Sequence, residues 1–489
     1  MFSPPLDILL IFALTTPIIG WISTKIKLKS LCGVYAVIGL AASGYEIYKL
    51  FSRVFTKPEL IPIKAGPFES CLRIDGLSIF MASIFILLGF FATLYSIRYM
   101  ERDSGVTLYY TLLLIMICGL LGVVFSGDFF TLFVFWELMC ITSYMLVAFR
   151  KQHWEPIEAG LKYLVISSAG SATILLGLSI LYGLAGTLNF IELATIATQM
   201  SNIWCGISLI FIMAGFGVKA AIFPFHTWLP DAHPAAPTPI SALLSGIVIK
   251  AGVYAILRSL FMIFLPVNFS WQTAIAIISI LTMSFGNLAA LLQDDIKRLL
   301  AYSSIAQMGY IFFAISTAAN PSALTTGLTA ALLHVLNHAL MKGLLFLCAG
   351  AFIYRAGTRS LKELAGIGHK MPVTAIAFTV GALAISGLPS LNGFVSELMI
   401  VYAGIQANMP IYTAIFLINI LLGFAYYLRL IKIIVWSTPS KILDKVRDAP
   451  LLMLVPILVL TIICIMIGVY PSPFIETASK AAKAIIESF

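Results

Sequence analysis

Apolar runs of about 17 to 25 residues, long enough to cross a bilayer, follow one another along this chain with only short polar connections between them. Fourteen can be delimited: 5–23, 31–52, 74–97, 108–126, 129–149, 160–184, 204–229, 238–263, 271–291, 300–318, 323–353, 372–405, 410–434 and 449–470. The pattern predicts an all-α polytopic membrane protein of about fourteen transmembrane helices. Two of the runs are interrupted. Span 7 breaks around Pro224, shortly after Lys219, and span 12 breaks at Gly387, Pro389 and Gly393, shortly before Glu397. Backbone groups freed by such breaks are tolerated at membrane depth only inside protein or against a wet cavity. Gly/Pro-broken spans at corresponding places of two halves also point to a transport site. These two lie five spans apart and so run in opposite directions, which suits an inverted repeat of spans 4–8 onto 9–13. The expected organisation is residues 1–107 for spans 1–3, 108–263 for the first repeat, 264–435 for the second, and 436–489 for span 14 and a tail. Packing kinks are the plainer explanation of either break.

Against this apolar background, ionisable residues near mid-span stand out: Glu137 in span 5, Lys219 in span 7, Lys250 in span 8, His334, His338 and Lys342 in span 11, and Glu397 in span 12. A charge at bilayer depth costs several kcal/mol, so each residue is a candidate functional group in need of a partner. A single substrate pocket needs two or three such groups. Seven spread over five helices resemble a proton relay. Glu137 and Lys219 are an expected pair, because a carboxylate beside an ammonium favours the charged form of each and separating them releases a proton. A static ion pair is the alternative. Lys250 has no carboxylate nearby in sequence. His334, His338 and Lys342 recur every fourth residue and share a helix face; the histidines suit proton shuttling. A metal on His334 and His338 lacks a third ligand and would be repelled by Lys342. Lys162, Arg258 and Arg429 fall nearer span ends and are expected to snorkel to the interface. Asp128 suits either a channel mouth or a helix cap.

Composition narrows the class further. With 60% hydrophobic residues, 10% charged residues and a mean hydropathy of +1.02, the chain lacks the polar surface of a soluble protein. Its net charge of +9 sits mostly in alternate connections: Lys25, Lys27 and Lys29; Arg98 and Arg102; Arg150 and Lys151; Lys297 and Arg298; Arg355, Arg359, Lys362 and Lys370; Lys441, Lys445 and Arg447. The positive-inside rule puts these in the cytoplasm and both termini outside a cell membrane, and this topology accounts for the charge without nucleic acid. The second connection departs from the pattern, with Arg53, Lys57, Lys64 and Arg73 partly offset by Glu59, Glu69 and Asp75. Seven scattered cysteines show no metal or redox spacing. Neither a P-loop, a Rossmann fingerprint nor a zinc motif is present, so no cofactor is expected on this chain. The N-terminus, with Asp7 and no basic region, reads as a retained span.

Several of these segments together resemble a known family, the antiporter-like subunits of respiratory complex I, Mrp-type cation/proton antiporters and membrane-bound hydrogenases. They are FVFWELM with Glu137, VKAAIFPFHTWLPDAHPAAPTPISALLSG with Lys219, the following Lys250, KRLLAYSSIAQMGY, LLHVLNHALMKGLLFL and SGLPSLNGF, which cover about residues 75 to 435. The resemblance implies fourteen helices, two inverted five-helix repeats and a charged chain along the midplane. It also implies roles: Glu137 as the partner of Lys219, Lys250 as the bridging lysine, His334 and His338 as the link to the second half-channel, and Glu397 as the terminal exchange site. It further implies membrane partner subunits and a peripheral redox module holding iron–sulfur clusters and other redox centres. Many members carry lysine where Glu397 stands, whereas one complex I class carries glutamate. By contrast, LPDAHPAAPTPISALLSGIVIKAGVYA reads closer to Mrp and archaeal hydrogenase members. The chain stops soon after span 14, without the long lateral helix of the largest complex I subunit of this kind, which is therefore not the expected match. The leading expectation is a proton-translocating subunit of a redox-driven complex, with sodium coupling open. The alternative is a gradient-driven Mrp-type subunit.

Overall fold

The structure, a computed structural model, describes residues 3–56, 61–64, 71–196, 203–264 and 271–486. Lys57, Glu59 and Glu69 of the second connection lie outside them. Among the described residues the regular structure is helical, apart from one antiparallel pair of short strands, β1 (Ile61–Lys64) and β2 (Cys71–Ile74). In order, the helices are α1 (Pro4–Lys25), α2 (Ser30–Thr56), α3 (Gly76–Tyr99), α4 (Val106–Phe125), α5 (Phe129–Val147), α6 (Trp154–Ala185), α7 (Phe190–Ile196), α8 (Ile203–Lys219), α9 (Leu229–Ala235), α10 (Thr238–Leu243) and α11 (Ile249–Ser259). They continue as α12 (Gln272–Leu291), α13 (Ile296–Thr317), α14 (Leu324–Ala356), α15 (Pro372–Ile385), α16 (Asn392–Gln406), α17 (Pro410–Ile431), α18 (Leu451–Val469) and α19 (Ser472–Ile486). Twelve described spans are long and apolar enough to cross a membrane, with α10 and α11 forming one of them through a π-helical turn at Leu244–Val248. Two shorter apolar helices, α8 and α15, begin the interrupted spans 7 and 12.

The span through α10 and α11 is wholly buried and packs on α14, α3 and α8, so it forms the axis of the molecule. Outer helices instead present apolar side chains outward, Leu14 on α1 and Leu421 on α17 among them. A bilayer supplies the solvent for such surfaces.

Both breaks have local causes. After α8 the chain turns through Ala221 at φ 52° and a cis Phe223–Pro224 bond before α9. The indole N–H of Trp228 donates to the Val218 carbonyl at 2.8 Å, satisfying one of the acceptors a helix end leaves open. In the second break Gly387 has φ 74°, a left-handed conformation that glycine adopts without strain. A Cβ on Gly393 would overlap the Ala384 carbonyl, and one on Gly387 would overlap the Glu397 carboxylate. Pro389 lies in the exposed turn between them.

A repeated device, not isolated by the hydropathy pattern, ties the loops. GTLNFIEL (186–193) follows α6 and GTRSLKEL (357–364) follows α14. In the first, Asn189 forms an antiparallel bridge with Asp128, the N-cap of α5, and Thr187 bonds Glu192. In the second, Ser360 bridges Asp295, the N-cap of α13, and Thr358 bonds Glu363. Asp128 accepts from the backbone N–H of Thr131 at 2.6 Å and is thus a helix cap.

One expectation is corrected here. Arg258 does not snorkel: it is 1% exposed, and its guanidinium donates to both Asp75 oxygens at 2.6 Å. The residues after span 14 form α19, whose Ala478, Ala481, Ala482 and Ile485 bury against α3 and α14. Lys162 and Arg429 do end at exposed ion pairs, with Glu158 and Asp294.

Candidate ion-relay site

Six of the seven expected ionisable groups are buried: Lys219, Lys250, His334, His338, Lys342 and Glu397. Glu137, on α5, is half-buried. The expected Glu137–Lys219 ion pair is not formed, because each group is satisfied elsewhere. Glu137 accepts from the Ser171 hydroxyl on α6 at 2.5 Å. Lys219, the last residue of α8, donates to the Tyr163 hydroxyl at 2.8 Å. Its ammonium lies 5.2 Å from the Tyr144 ring centre, 4.6 Å from that of Tyr163 and 5.9 Å from that of Trp228. Ring faces attract a desolvated cation, so an aromatic cage takes the place of a carboxylate. Tyr163 stacks on Trp228 at 4.0 Å and is also bonded by the Ser143 hydroxyl at 3.1 Å, which fixes the cage.

Lys250, at the start of α11, meets the Ser245 carbonyl at 2.5 Å and the Nδ1 of His338 on α14. The π-helical turn carries Ser245, and such turns recur at functional sites. The contact joins the first set of spans to the second. Ring centres of His338 and His334 lie 6.4 Å apart along α14. His334 Nε2 meets Gln307 Oε1 at 2.7 Å, and its Nδ1 meets the Ser396 hydroxyl at 2.9 Å. Ser396 precedes Glu397 on α16. The Oε1 of Glu397 is buried and makes no hydrogen bond to a described residue.

Lys342, one turn beyond His338, leaves this line. It donates to the Leu300 carbonyl at 2.9 Å and to Tyr427 at 3.1 Å. From there a buried polar chain runs from Tyr427 through Ser303 and Tyr426 to Asn287.

The break at Pro224 thus follows Lys219 in the first set of spans, and those at Gly387, Pro389 and Gly393 precede Glu397 in the second. Sequence reasoning missed Tyr144, Tyr163, Trp228, Ser171, Gln307, Ser396 and Tyr427. Hydroxyl and ring residues are common in apolar helices, and only contacts between helices single these out.

Residues 126–423 match the family described as NADH:quinone oxidoreductase/Mrp antiporter, TM, and residues 61–110 match NADH-Ubiquinone oxidoreductase (complex I), chain 5 N-terminus. The F(420)H(2) dehydrogenase subunit N of Methanosarcina mazei is 32% identical over 94% of this chain and 93% of its own. The NADH-quinone oxidoreductase subunit N of Desulforudis audaxviator is 34% identical over 82% of each. A chain of the membrane-bound sulfane sulfur reductase, an archaeal respiratory membrane complex, has a TM-score of 0.91 at 31% identity, covering 99% of this chain and 97% of that one. The chain therefore belongs to the NADH:quinone oxidoreductase/Mrp antiporter family of antiporter-like membrane subunits.

Proposed function

We propose that this chain moves protons across a cell membrane as a subunit of a multisubunit redox-driven complex, through Glu137, Lys219, Lys250, His338, His334 and Glu397, with Lys342 beside the line. Sodium could couple to the same groups through the carboxylates. The reading rests on one observation above all: Lys250 meets His338 just after the π-helical turn that packs on α14, so buried ionisable groups continue from one set of broken spans to the other. Structural needs alone give no reason to bury so many costly groups along one path. The M. mazei and D. audaxviator relatives are named as parts of redox enzymes, which favours partners that hold the iron–sulfur clusters and other redox centres in a peripheral module, with none on this chain.

The same reading takes α8–α9 and α15–α16 as one crossing each, for fourteen in all. The repeats are then 108–263 and 264–435, flanked by 1–107 and 436–489. The paired GT-x-x-x-x-EL loops support it. One comes from an even and the other from an odd connection, as inversion requires, and the basic connections favour termini on the outer side.

Lys219→Ala and Glu137→Ala, each in the intact complex, are expected to abolish ion uptake into proteoliposomes while leaving assembly unchanged; wild-type uptake in either variant would overturn the relay. Glu397→Gln removes the exchangeable proton and keeps the shape. It should lower uptake at least tenfold, equivalent to about 1.4 kcal/mol, with the complex assembled. Gly387→Ala should lose at least as much, because its Cβ displaces the Glu397 carboxylate. A Glu397→Gln complex that fails to assemble would make Glu397 a structural residue.

A further inference from the structure

Lys250, Tyr254 and Arg258 recur every fourth residue of α11 and form one stripe on the helix at the axis of the molecule. Lys250 belongs to the relay line. Arg258 cannot, because a guanidinium stays protonated at every physiological pH and hands no proton on. Between them Tyr254 supplies the only hydroxyl of the stretch. That hydroxyl is engaged on both sides: it donates to the Val124 carbonyl near the end of α4 at 2.8 Å and accepts from Arg258 Nε at 2.9 Å. The rest of the guanidinium is held as firmly. Nη1 lies 3.7 Å from the Met262 sulfur, and Nη2 donates to the Ser78 hydroxyl at 3.1 Å and to both Asp75 oxygens. Asp75 in turn accepts from the N–H and the hydroxyl of Ser78, each at 3.0 Å.

This cluster sits where α3 begins, α4 ends and α11 runs on into a second π-helical turn, Leu260–Phe264. α19 packs on α3, α14 and that turn. A Cβ on Gly76, next to Asp75, would lie 2.9 Å from the Cβ of Ala484 and 3.7 Å from the Cα of Ala481, so α19 closes directly over the start of α3. Tyr254, Arg258, Leu260 and Phe261 are all buried beneath it. Stability alone is a weak reason for the ion pair, since well-packed apolar residues of similar volume often serve as well or better. Its position supplies another. Arginine in the wall of a pore raises an electrostatic barrier to protons and other cations, and Arg258 stands about two turns along α11 from the lysine that holds the mobile proton.

We propose that Arg258, fixed between Tyr254 and Asp75, is the barrier that keeps a proton on Lys250 from escaping along α11 to the face covered by α19, and this rests on the relay reading above. A proton leaving Lys250 in that direction meets a hydroxyl already donating to a carbonyl, and then a fixed positive charge. Asp75 balances that charge for burial but offers no vacant site, its oxygens being engaged by Arg258 and Ser78. Toward the second set of spans the way is open, because Lys250 and His338 touch with no arginine between them.

The test uses the intact complex in proteoliposomes, without redox substrate, and reads passive proton flux under a potassium diffusion potential set with valinomycin. Arg258→Gln keeps polar atoms and removes the charge; flux should rise at least fivefold over wild type with assembly unchanged. Arg258→Lys restores a positive charge beside Asp75 and should stay within twofold of wild type. In Lys250→Ala/Arg258→Gln the flux should fall back to the wild-type value, because the route starts at Lys250. A general packing defect would leak in that double variant as well. Wild-type flux in Arg258→Gln, an Arg258→Lys as leaky as Arg258→Gln, or a leak that persists in the double variant overturns the barrier. If Arg258→Gln does not assemble, hydroxyl-radical labelling of the wild-type complex decides, since it marks side chains beside water: an unmodified Tyr254 upholds the barrier and a modified one overturns it. Redox-driven uptake separates the two levels. Normal uptake in Lys250→Ala sinks the relay itself, whereas no uptake in Lys250→Ala beside a tight Arg258→Gln sinks the barrier alone.

Discussion

Lys250→Ala is expected to stop ion translocation altogether, a loss of at least a hundredfold, or about 2.7 kcal/mol, in an otherwise assembled complex. Lys250 is the ionisable group of α11 that meets α14, through His338. On the near side the next group is Lys219, held in its ring cage at the end of α8. On the far side the line continues from His338 to His334, Ser396 and Glu397. Removing the ammonium leaves His338 facing a space without a proton donor, and no second contact between charged or imidazole groups bridges α11 and α14 among the described residues. The packing change is small by comparison. Ser245 remains bonded to Ser304 by its hydroxyl at 2.7 Å, so the π-helical turn keeps a tie to α13. The measurement is ion uptake driven by the complex's own redox reaction, read beside electron-transfer rate and the amount of complex. Uptake within twofold of wild type would mean that protons cross between the halves by another route, with the Lys342–Tyr427–Ser303 chain the first place to look.

Much of this arrangement was legible in the sequence, and the reasons differ from element to element. Spans appear because lipid demands runs of apolar residues, and both breaks appear because proline and glycine have restricted or special backbone preferences. Lys219, Lys250, His334, His338, Lys342 and Glu397 stand out because charge in an apolar run has few neutral explanations. Pairing is another matter. Glu137 and Lys219 look like partners on sign alone, yet Ser171 and the Tyr163 cage satisfy them separately, and neither is marked by composition. Arg258 illustrates a related limit. Position near a span end suggests an interface only for a helix that touches lipid, and α11 is enclosed on every side. The final helix was hidden for the opposite reason: Ala478, Ala481 and Ala482 are too small to raise hydropathy, although their spacing makes one face.

Asp75→Ala is expected to destabilise the chain more than Arg258→Met, although the two changes break the same ion pair. Removing one member of a buried pair costs about 3–5 kcal/mol, because the remaining charge is left without compensation. Asp75 does more than pair with Arg258. Its carboxylate also lies 3.6 Å from Arg73, and it caps α3 by accepting from the Ser78 N–H at 3.0 Å. Alanine there takes the carboxylate away from two guanidiniums, 1% and 4% exposed, and removes a cap worth about 1 kcal/mol. Arg258→Met instead leaves Asp75 facing Arg73 and still capping α3, and an unbranched apolar side chain fills part of the vacated volume. The double variant should therefore be more stable than Asp75→Ala alone, since methionine removes the buried guanidinium that Asp75→Ala deprives of its carboxylate. Thermal unfolding of the detergent-solubilised complex, with its yield from membranes, gives the order: wild type, Arg258→Met, the double variant, then Asp75→Ala. Asp75→Ala as stable as Arg258→Met would mean that water or lipid headgroups already reach this cluster. In that case Arg258 would be an interfacial residue after all.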